Sequence, residues 1–232
     1  MNSPAYLQRR GQLEQYFDRT AVRAWERLTS DAPVSRIRAS VRAGRARMRQ
    51  AILDLLPTQL AGRRILDAGC GTGALAQELA GRGARVLAID LSPTLVELAR
   101  QRSSAAGASS IEFRTGDMSD PSLGEFDHVV AMDSLIHYES EDIVRVLAAL
   151  AQRTRRSMLF TFAPRTPALT VMHTIGRVFP RGDRAPAIAP VAEGRLRLRL
   201  AQEPALADWQ VGRAERIVNG FYTSHVMELV HT

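Results

Sequence analysis

Residues 67–73 read Asp-Ala-Gly-Cys-Gly-Thr-Gly, with a strand-like run, RRIL, before them and a helix-like run, ALAQELAGRG, after them. A glycine-rich turn between strand and helix presents backbone N–H groups to a ligand, and usually holds a nucleotide. Read as Gly69-x-Gly71-x-x-Ala74, the turn loosely fits a dinucleotide fingerprint. Asp90 lies 21 positions after Gly69, close to the roughly 20 at which that fingerprint places an acidic residue for ribose hydroxyls. Three features redirect the reading. Asp67 precedes the first glycine, where a carboxylate repels a pyrophosphate and instead suits an ammonium group and a positive centre. Gly73 keeps the loop open where backbone approaches the ligand. Gly116-Asp117-Met118 closes a further strand candidate, pairing an acceptor for an adenine amino group with an apolar flank for its ring. S-adenosylmethionine has an amino acid head, a sulfonium, a ribose and an adenine, with no phosphate, and meets all three.

These residues act together only if several strand ends lie along one edge. From Pro57 onward the pattern alternates. Strands are expected at 64–68, 85–90, 110–116, 126–132 and 157–163, with helices at 72–82, 93–106 and 139–153 and a short turn near 119–124. That order predicts an α/β, Rossmann-like, mostly parallel sheet covered on both faces, with ligands at the carboxyl ends of its strands. Past Pro164 come a helix at 167–179, a proline-rich loop to 190 and a helix over 191–203. The final run alternates around Asn219-Gly220, a hairpin signal that adds an antiparallel edge.

Ahead of Pro57, residues 5–30 read as a helix with Leu13, Tyr16, Phe17, Val22, Trp25 and Leu28 apolar, broken at 31–33. A second helix, 35–56, carries Ile37, Val41, Met48, Ile52 and Leu55 on one face and six arginines between 36 and 49 over much of the rest. The division expected is an N-terminal helical lid at 1–57 and a cofactor-binding domain at 58–232, with an acceptor-side insertion at about 165–205.

Composition removes other chemistries. The chain has 232 residues, a formal charge of +7 and no lysine. Schiff-base enzymes and lysine-bearing phosphate loops are therefore excluded. Cys70 is the single cysteine, so neither an intramolecular disulfide nor a cysteine-cluster metal site is available; it reads as a small residue filling the turn. No metal site of the protein's own is expected. No apolar run reaches the roughly 20 residues of a membrane span, and the first residues lack the apolar core of a secretory signal. A cytoplasmic protein is the expectation.

The stretches ILDAGCGTG at 65–73, VLAIDLS at 86–92, RTGDM at 114–118 and FDHVVAMDSLIHY at 126–138 together resemble class I S-adenosylmethionine-dependent methyltransferases. The resemblance implies a seven-stranded sheet of that class. It implies that Asp67, Gly69 and Gly71 frame the methionine portion, Asp90 takes the ribose hydroxyls and Leu91 flanks the adenine. Asp117 and Met118 would hold the adenine, and Asp133 would lie near the sulfonium. The segments QYFDRTAVRAWERL at 15–28, LIHY at 135–138, FAPRTP at 162–167 and IGRVFPRGDRAPAI at 175–188 resemble, more narrowly, the magnesium protoporphyrin IX methyltransferase family of bacteriochlorophyll biosynthesis. Asp18 departs from the asparagine expected there.

That narrower resemblance implies methyl transfer to a propionate of Mg-protoporphyrin IX, giving the monomethyl ester, with Tyr16 and His137 implicated in catalysis. Phe17 and Trp25 then offer flat surface to the macrocycle. Arg19, Arg165 and Arg181 are candidates to meet propionates, with Arg177 and Arg184 behind them. Magnesium enters only as part of the porphyrin. Implied partners are the large porphyrin-binding subunit of magnesium chelatase and, through the basic 36–49 helix, an anionic photosynthetic membrane surface. Other readings stay open: a methyltransferase for another acidic small molecule, an RNA methyltransferase suggested by the arginine excess, an NAD oxidoreductase, disfavoured by Asp67, and a non-catalytic partner-binding protein built on a methyltransferase fold, against which the intact cofactor motifs argue. Nucleic acid is not expected, because aromatic residues are only 6% of the chain and the strands carry no surface stacking pattern.

Overall fold

The computed structural model describes residues 4–19, 36–105, 109–165 and 187–232, and for Ala5 and Arg19 the backbone alone. Trp25, Arg177, Arg181, Arg184 and the helix expected at 167–179 lie outside the described residues.

Helix α1 spans Pro4–Arg19 and α2 Arg36–Leu55. Then follow β1 (Arg64–Ala68), α3 (Ala74–Gly81), β2 (Arg85–Asp90), α4 (Pro93–Ala105), β3 (Ile111–Thr115), β4 (Phe126–Ala131), α5 (Ser140–Ala151) and β5 (Thr154–Phe162). Helix α6 (Glu193–Gln202) and the strands β6 (Trp209–Asn219) and β7 (Tyr222–His231) complete the described chain. The strands form one sheet in the order β3-β2-β1-β4-β5-β7-β6. The first five run parallel, β7 inserts antiparallel beside β5, and β6 closes the edge. This is the seven-stranded sheet with an antiparallel end that the sequence leads one to expect.

Period-two alternation builds the two layers. Leu66, Leu87, Ile89, Val129, Ala131, Phe160 and Met227 pack on one face with residues of α1, α5 and α6. Their neighbours Ile65, Val86, Ala88, Val130, Leu159 and Val226 pack on the other with residues of α2, α3 and α4. Because the crossover from β2 to β1 to β4 reverses direction along the sheet, the carboxyl ends of β1 and β4 open a crevice there.

Three expectations change. Strand β5 begins at Thr154, not 157, because exposed Arg155 and Arg156 hide a strand that pairs Thr154 with Phe126. The buried face of α2 is Gly44, Met48, Ala51, Ile52 and Leu53, and Ile37 is exposed. The first turn of α2 runs past the sheet to the β6–β7 hairpin, where Ser40 carbonyl accepts from Asn219 Nδ2 at 2.7 Å. The second half of α2 packs into the core through Met48, Ala51, Ile52 and Leu53, while its first residues are exposed, and α1 lies against the crevice through Leu13 and Phe17. The hairpin turns through Gly220 (φ 58°) and Phe221, with Asn219 paired to Tyr222 in the last rung.

Candidate active site

The crevice holds about 610 Å³ of open space, its mouth and the adjoining solvent included. Gly69 and Gly71 after β1, Asp90 and Leu91 at the end of β2, and Gly116 and Met118 after β3 form its floor and one side. Met132, Asp133, Ser134 and His137 after β4 form the other, and Leu13 and Phe17 of α1 lie against it. Seven residues proposed from the sequence as cofactor contacts or acceptor contacts thus meet at one cavity on four different strand ends and a helix, alongside His137.

The glycine loop is shaped by its neighbours as much as by a ligand. Gly69 has φ 83°, and a Cβ there would lie 2.3 Å from Ser134 Cβ. Glycine at 69 lets the β1 and β4 loops touch. Gly73, expected to open the loop toward the ligand, instead faces the protein: a Cβ would meet Ala99 and Phe113 at 3.1 Å. Its left-handed backbone starts α3.

Asp67 does not line the cavity. It is buried beneath the loop, and its Oδ2 has no hydrogen-bond partner among the described residues. Burial, then the charge of Asp90, raise its pKa to about 7. A buried carboxylate without a cation is costly, so a cationic ligand head fits above it. Asp90 is bound by backbone: Oδ2 accepts Gly71 N–H at 2.9 Å and Oδ1 accepts Ser92 N–H at 3.0 Å. Each oxygen keeps a further lone pair, as two ribose hydroxyls require. The cradle therefore fits S-adenosylmethionine.

Asp117 is engaged by the lid. Its carboxylate accepts from Arg10 Nη1 at 2.9 Å, Tyr6 Oη at 3.2 Å and Ser119 N at 2.8 Å. It does not line the cavity, whereas its neighbours Gly116 and Met118 do. Asp133 lines the cavity in a left-handed conformation, φ 54°. Its carboxylate accepts from Tyr222 Oη at 2.9 Å and pairs with Arg45 Nη1 at 3.0 Å.

On the acceptor side, His137 is buried with Nδ1 3.4 Å from Ala187 carbonyl oxygen. The carbonyl oxygen can only accept, so this contact is a hydrogen bond in the forms of the ring that carry a proton on Nδ1. The Phe17 ring meets the imidazole edge-on, centroids 6.1 Å apart. Tyr16 stacks edge-on to Phe17 at 5.3 Å but does not line the cavity. Residues 187–191 bind along this side: Ala189 N–H donates to Ile136 carbonyl at 2.9 Å and Arg165 N–H to Val191 carbonyl at 2.9 Å. This is the described part of the proline-rich loop expected as the acceptor wall. The Arg165 side chain is exposed and outside the cavity lining.

Sequence reasoning did not single out Tyr6, Arg10, Arg45, Ser134 or Tyr222. Arg45 was one of six arginines on a helix, and Tyr222 sits in a strand 89 residues from Asp133; no local pattern marks such a pair.

A family model described as magnesium-protoporphyrin IX methyltransferase C-terminus matches residues 131–231, and a methyltransferase-domain model matches residues 65–157. The magnesium-protoporphyrin O-methyltransferase of Rhodobacter capsulatus is 46% identical over 224 residues, 96% of this chain and 97% of that protein. The protein of the same name from Synechocystis is 29% identical, covering 94% of each. The crystal structure of magnesium protoporphyrin IX methyltransferase from Synechocystis with bound SAH superposes with a TM-score of 0.85 at 29% identity, over 97% of this chain and 100% of that one.

Proposed function

We propose how this site works from one premise: the chain belongs to the family of magnesium-protoporphyrin O-methyltransferases. It transfers a methyl group from S-adenosylmethionine to a propionate carboxylate of Mg-protoporphyrin IX, giving the monomethyl ester. The observation that carries the site assignment is one cavity joining the Gly69–Gly71 cradle to Phe17 and His137.

S-adenosylmethionine supplies an activated methyl group on a sulfonium. Asp67 attracts its ammonium from beneath the loop, Gly69 and Gly71 admit its backbone, and Asp90 takes the ribose hydroxyls. Leu91 and Met118 clasp the adenine. Asp117, whose oxygens already take Arg10, Tyr6 and both the N–H and the hydroxyl of Ser119, fixes the Gly116–Met118 turn against the adenine. A propionate has a pKa near that of glutamate, about 4.3, and is already ionised at neutral pH. The site then needs no strong base. Attack on the sulfonium neutralises charge, so the chain contributes alignment and removal of water from the carboxylate.

Phe17 and His137 face the macrocycle. His137, with Nδ1 toward the Ala187 carbonyl, would either ligate the porphyrin magnesium or orient the propionate. Tyr16 orients the propionate through its hydroxyl, and we assign the second propionate to Arg19, at the end of α1, and Arg165, beside the 187–191 segment. The substrate is amphipathic, so hand-over from the chelatase's porphyrin-binding subunit at an anionic membrane surface suits it. We place the contact at the start of α2, where exposed Arg36, Ile37 and Arg38 adjoin the hairpin tip with exposed Val218 and Phe221. Among the described residues no helix is long and apolar enough to cross a membrane.

The test is a comparison of kcat/KM for Mg-protoporphyrin IX and metal-free protoporphyrin IX. If His137 reads the metal, the magnesium form is preferred by about tenfold or more, as an extra bound ligand of 1.4 kcal/mol gives. Equal values in the wild-type protein would remove axial ligation from the account.

A further inference from the structure

Four carboxylates surround a site whose acceptor is itself an anion: Asp67, Asp90, Asp117 and Asp133. Asp117 has a cation from α1 and Asp90 has backbone amides. Asp133 stands on the wall between the glycine loop and His137, where the propionate and the sulfonium have to meet. It alone, among the described non-glycine residues, has a positive φ. Four residues hold it. Its N–H donates to Thr161 Oγ1 at 2.7 Å, and its carboxylate faces Arg45 at 3.0 Å, Tyr222 Oη at 2.9 Å, Ser224 Oγ at 3.4 Å and Thr161 Oγ1 at 3.4 Å. Thr161 and Ser224 are fully or nearly fully buried, and the Asp133 side chain is 4% exposed. A charge pair so little hydrated interacts far more strongly than one on the surface.

We propose that Arg45 is a positioning residue that masks the charge of Asp133, so that a carboxylate acceptor is admitted beside the sulfonium. An unmasked Asp133 would repel the incoming propionate. It would also attract the sulfonium and stand as a rival methyl acceptor. Paired with Arg45 and capped by the hydroxyls of Tyr222, Ser224 and Thr161, it is electrically neutral outward and its lone pairs are spent. The left-handed backbone at Asp133 turns the carboxylate toward Arg45 and away from free solution. Gly44 makes the contact possible: a Cβ there would lie 2.5 Å from Tyr222 Cδ1, so only glycine lets α2 seat Tyr222 and Arg45 on one carboxylate. The inference rests on the acceptor being a carboxylate.

The experiment separates charge from structure by using two cofactor forms, since S-adenosylmethionine carries the sulfonium charge and S-adenosylhomocysteine does not. Calorimetric affinities of both are measured for the full-length protein, Arg45→Met, Asp133→Asn and the double variant. Asparagine tolerates the left-handed backbone, and methionine keeps an unbranched stem. Arg45→Met should shift the ratio of the two affinities toward S-adenosylmethionine by roughly fivefold, and Asp133→Asn away from it by a similar factor. The double variant should return to the wild-type ratio. In the methylation assay, Arg45→Met should raise KM for Mg-protoporphyrin IX about tenfold and the double variant should restore it. Loss of both cofactor forms together in Arg45→Met, or a double variant as impaired as Arg45→Met, overturns the proposal. If Arg45→Met does not fold, Asp133→Asn decides alone: weaker S-adenosylmethionine with unchanged S-adenosylhomocysteine supports charge masking, and any other pattern overturns it. Should wild type not methylate the porphyrin, the acceptor reading falls while the cofactor ratios still judge Arg45.

Discussion

Asp67 carries a proton whose fate depends on the ligand. The folded chain keeps it to about pH 7, whereas the free side chain loses it near 3.8. The folded state thus binds more protons in that window, and the contribution of Asp67 to stability declines as pH rises through it. A cofactor ammonium favours the ionised form, so binding expels the proton. Affinity for S-adenosylhomocysteine should therefore rise about tenfold from about pH 6 to about pH 8, and Asp67→Asn should flatten the profile; a flat wild-type profile would exclude the linkage. At the other end of the site, His137→Ala and Tyr16→Phe should lower kcat by about tenfold or more while leaving S-adenosylhomocysteine affinity within about twofold. Wild-type turnover in either variant removes that residue from the mechanism. The residues proposed for the cofactor were legible as a group because their types and spacing are local: a glycine turn, an acid at a strand end, an acid beside a methionine. Arg45, Tyr222 and Tyr6 were not, because each acts on a carboxylate far away in the chain, and a lone arginine or tyrosine carries no spacing to read.

Elements decide how those residues are held. Helix α2 is a wedge between the hairpin and the cofactor strands, and Gly44 sets its depth. Gly44→Ala should cost about 1–3 kcal/mol despite alanine's better helix propensity, read as a lower Tm. An unchanged or raised Tm would mean that Tyr222 moves aside freely. Helix α1 is latched at both ends: Tyr6 and Arg10 hold Asp117, and Asp18 accepts from Thr94 Oγ1 at 2.6 Å and from Thr94 N–H at 3.3 Å at the start of α4. That gives Asp18 a physical role, as an acid at a helix N-terminus. The variant Arg10→Ala with Asp18→Ala should speed amide exchange across 8–17 without altering β1 and β4. Equal protection in α1 would show that its apolar contacts alone hold it. Strands and helices between 64 and 162 were legible from periodicity, because alternation follows burial directly. The limits of β5 and the inner face of α2 were not. Exposed arginines begin the first, and a glycine, invisible to a hydrophobic count, centres the second.

At the scale of the molecule, the arginine-rich start of α2 and the exposed tip of the hairpin lie together, while the cavity opens along the carboxyl edge of the sheet. Of the six arginines between 36 and 49, Arg45 and Arg49 already pair with Asp133 and Glu78, at 3.0 and 2.9 Å. The surface we propose for membrane contact is the exposed start of α2, Arg36, Ile37 and Arg38, with Arg42 one turn further on and Phe221 at the hairpin tip. Reversing the charge of Arg38 and Arg42 with Phe221→Ser should abolish sedimentation with anionic vesicles and leave methylation of detergent-solubilised porphyrin near wild type; unaltered sedimentation would discard the surface. The topology was legible as a whole because βα alternation and one terminal hairpin admit few sheets, whereas the convergence of α2 on the β4 loop is a tertiary fact. Purified protein, methyl-labelled S-adenosylmethionine and Mg-protoporphyrin IX should yield a porphyrin carrying one label, placed by fragmentation mass spectrometry on a propionate as its ester. Label elsewhere on the macrocycle, or an unlabelled porphyrin with the cofactor bound, would contradict this reaction.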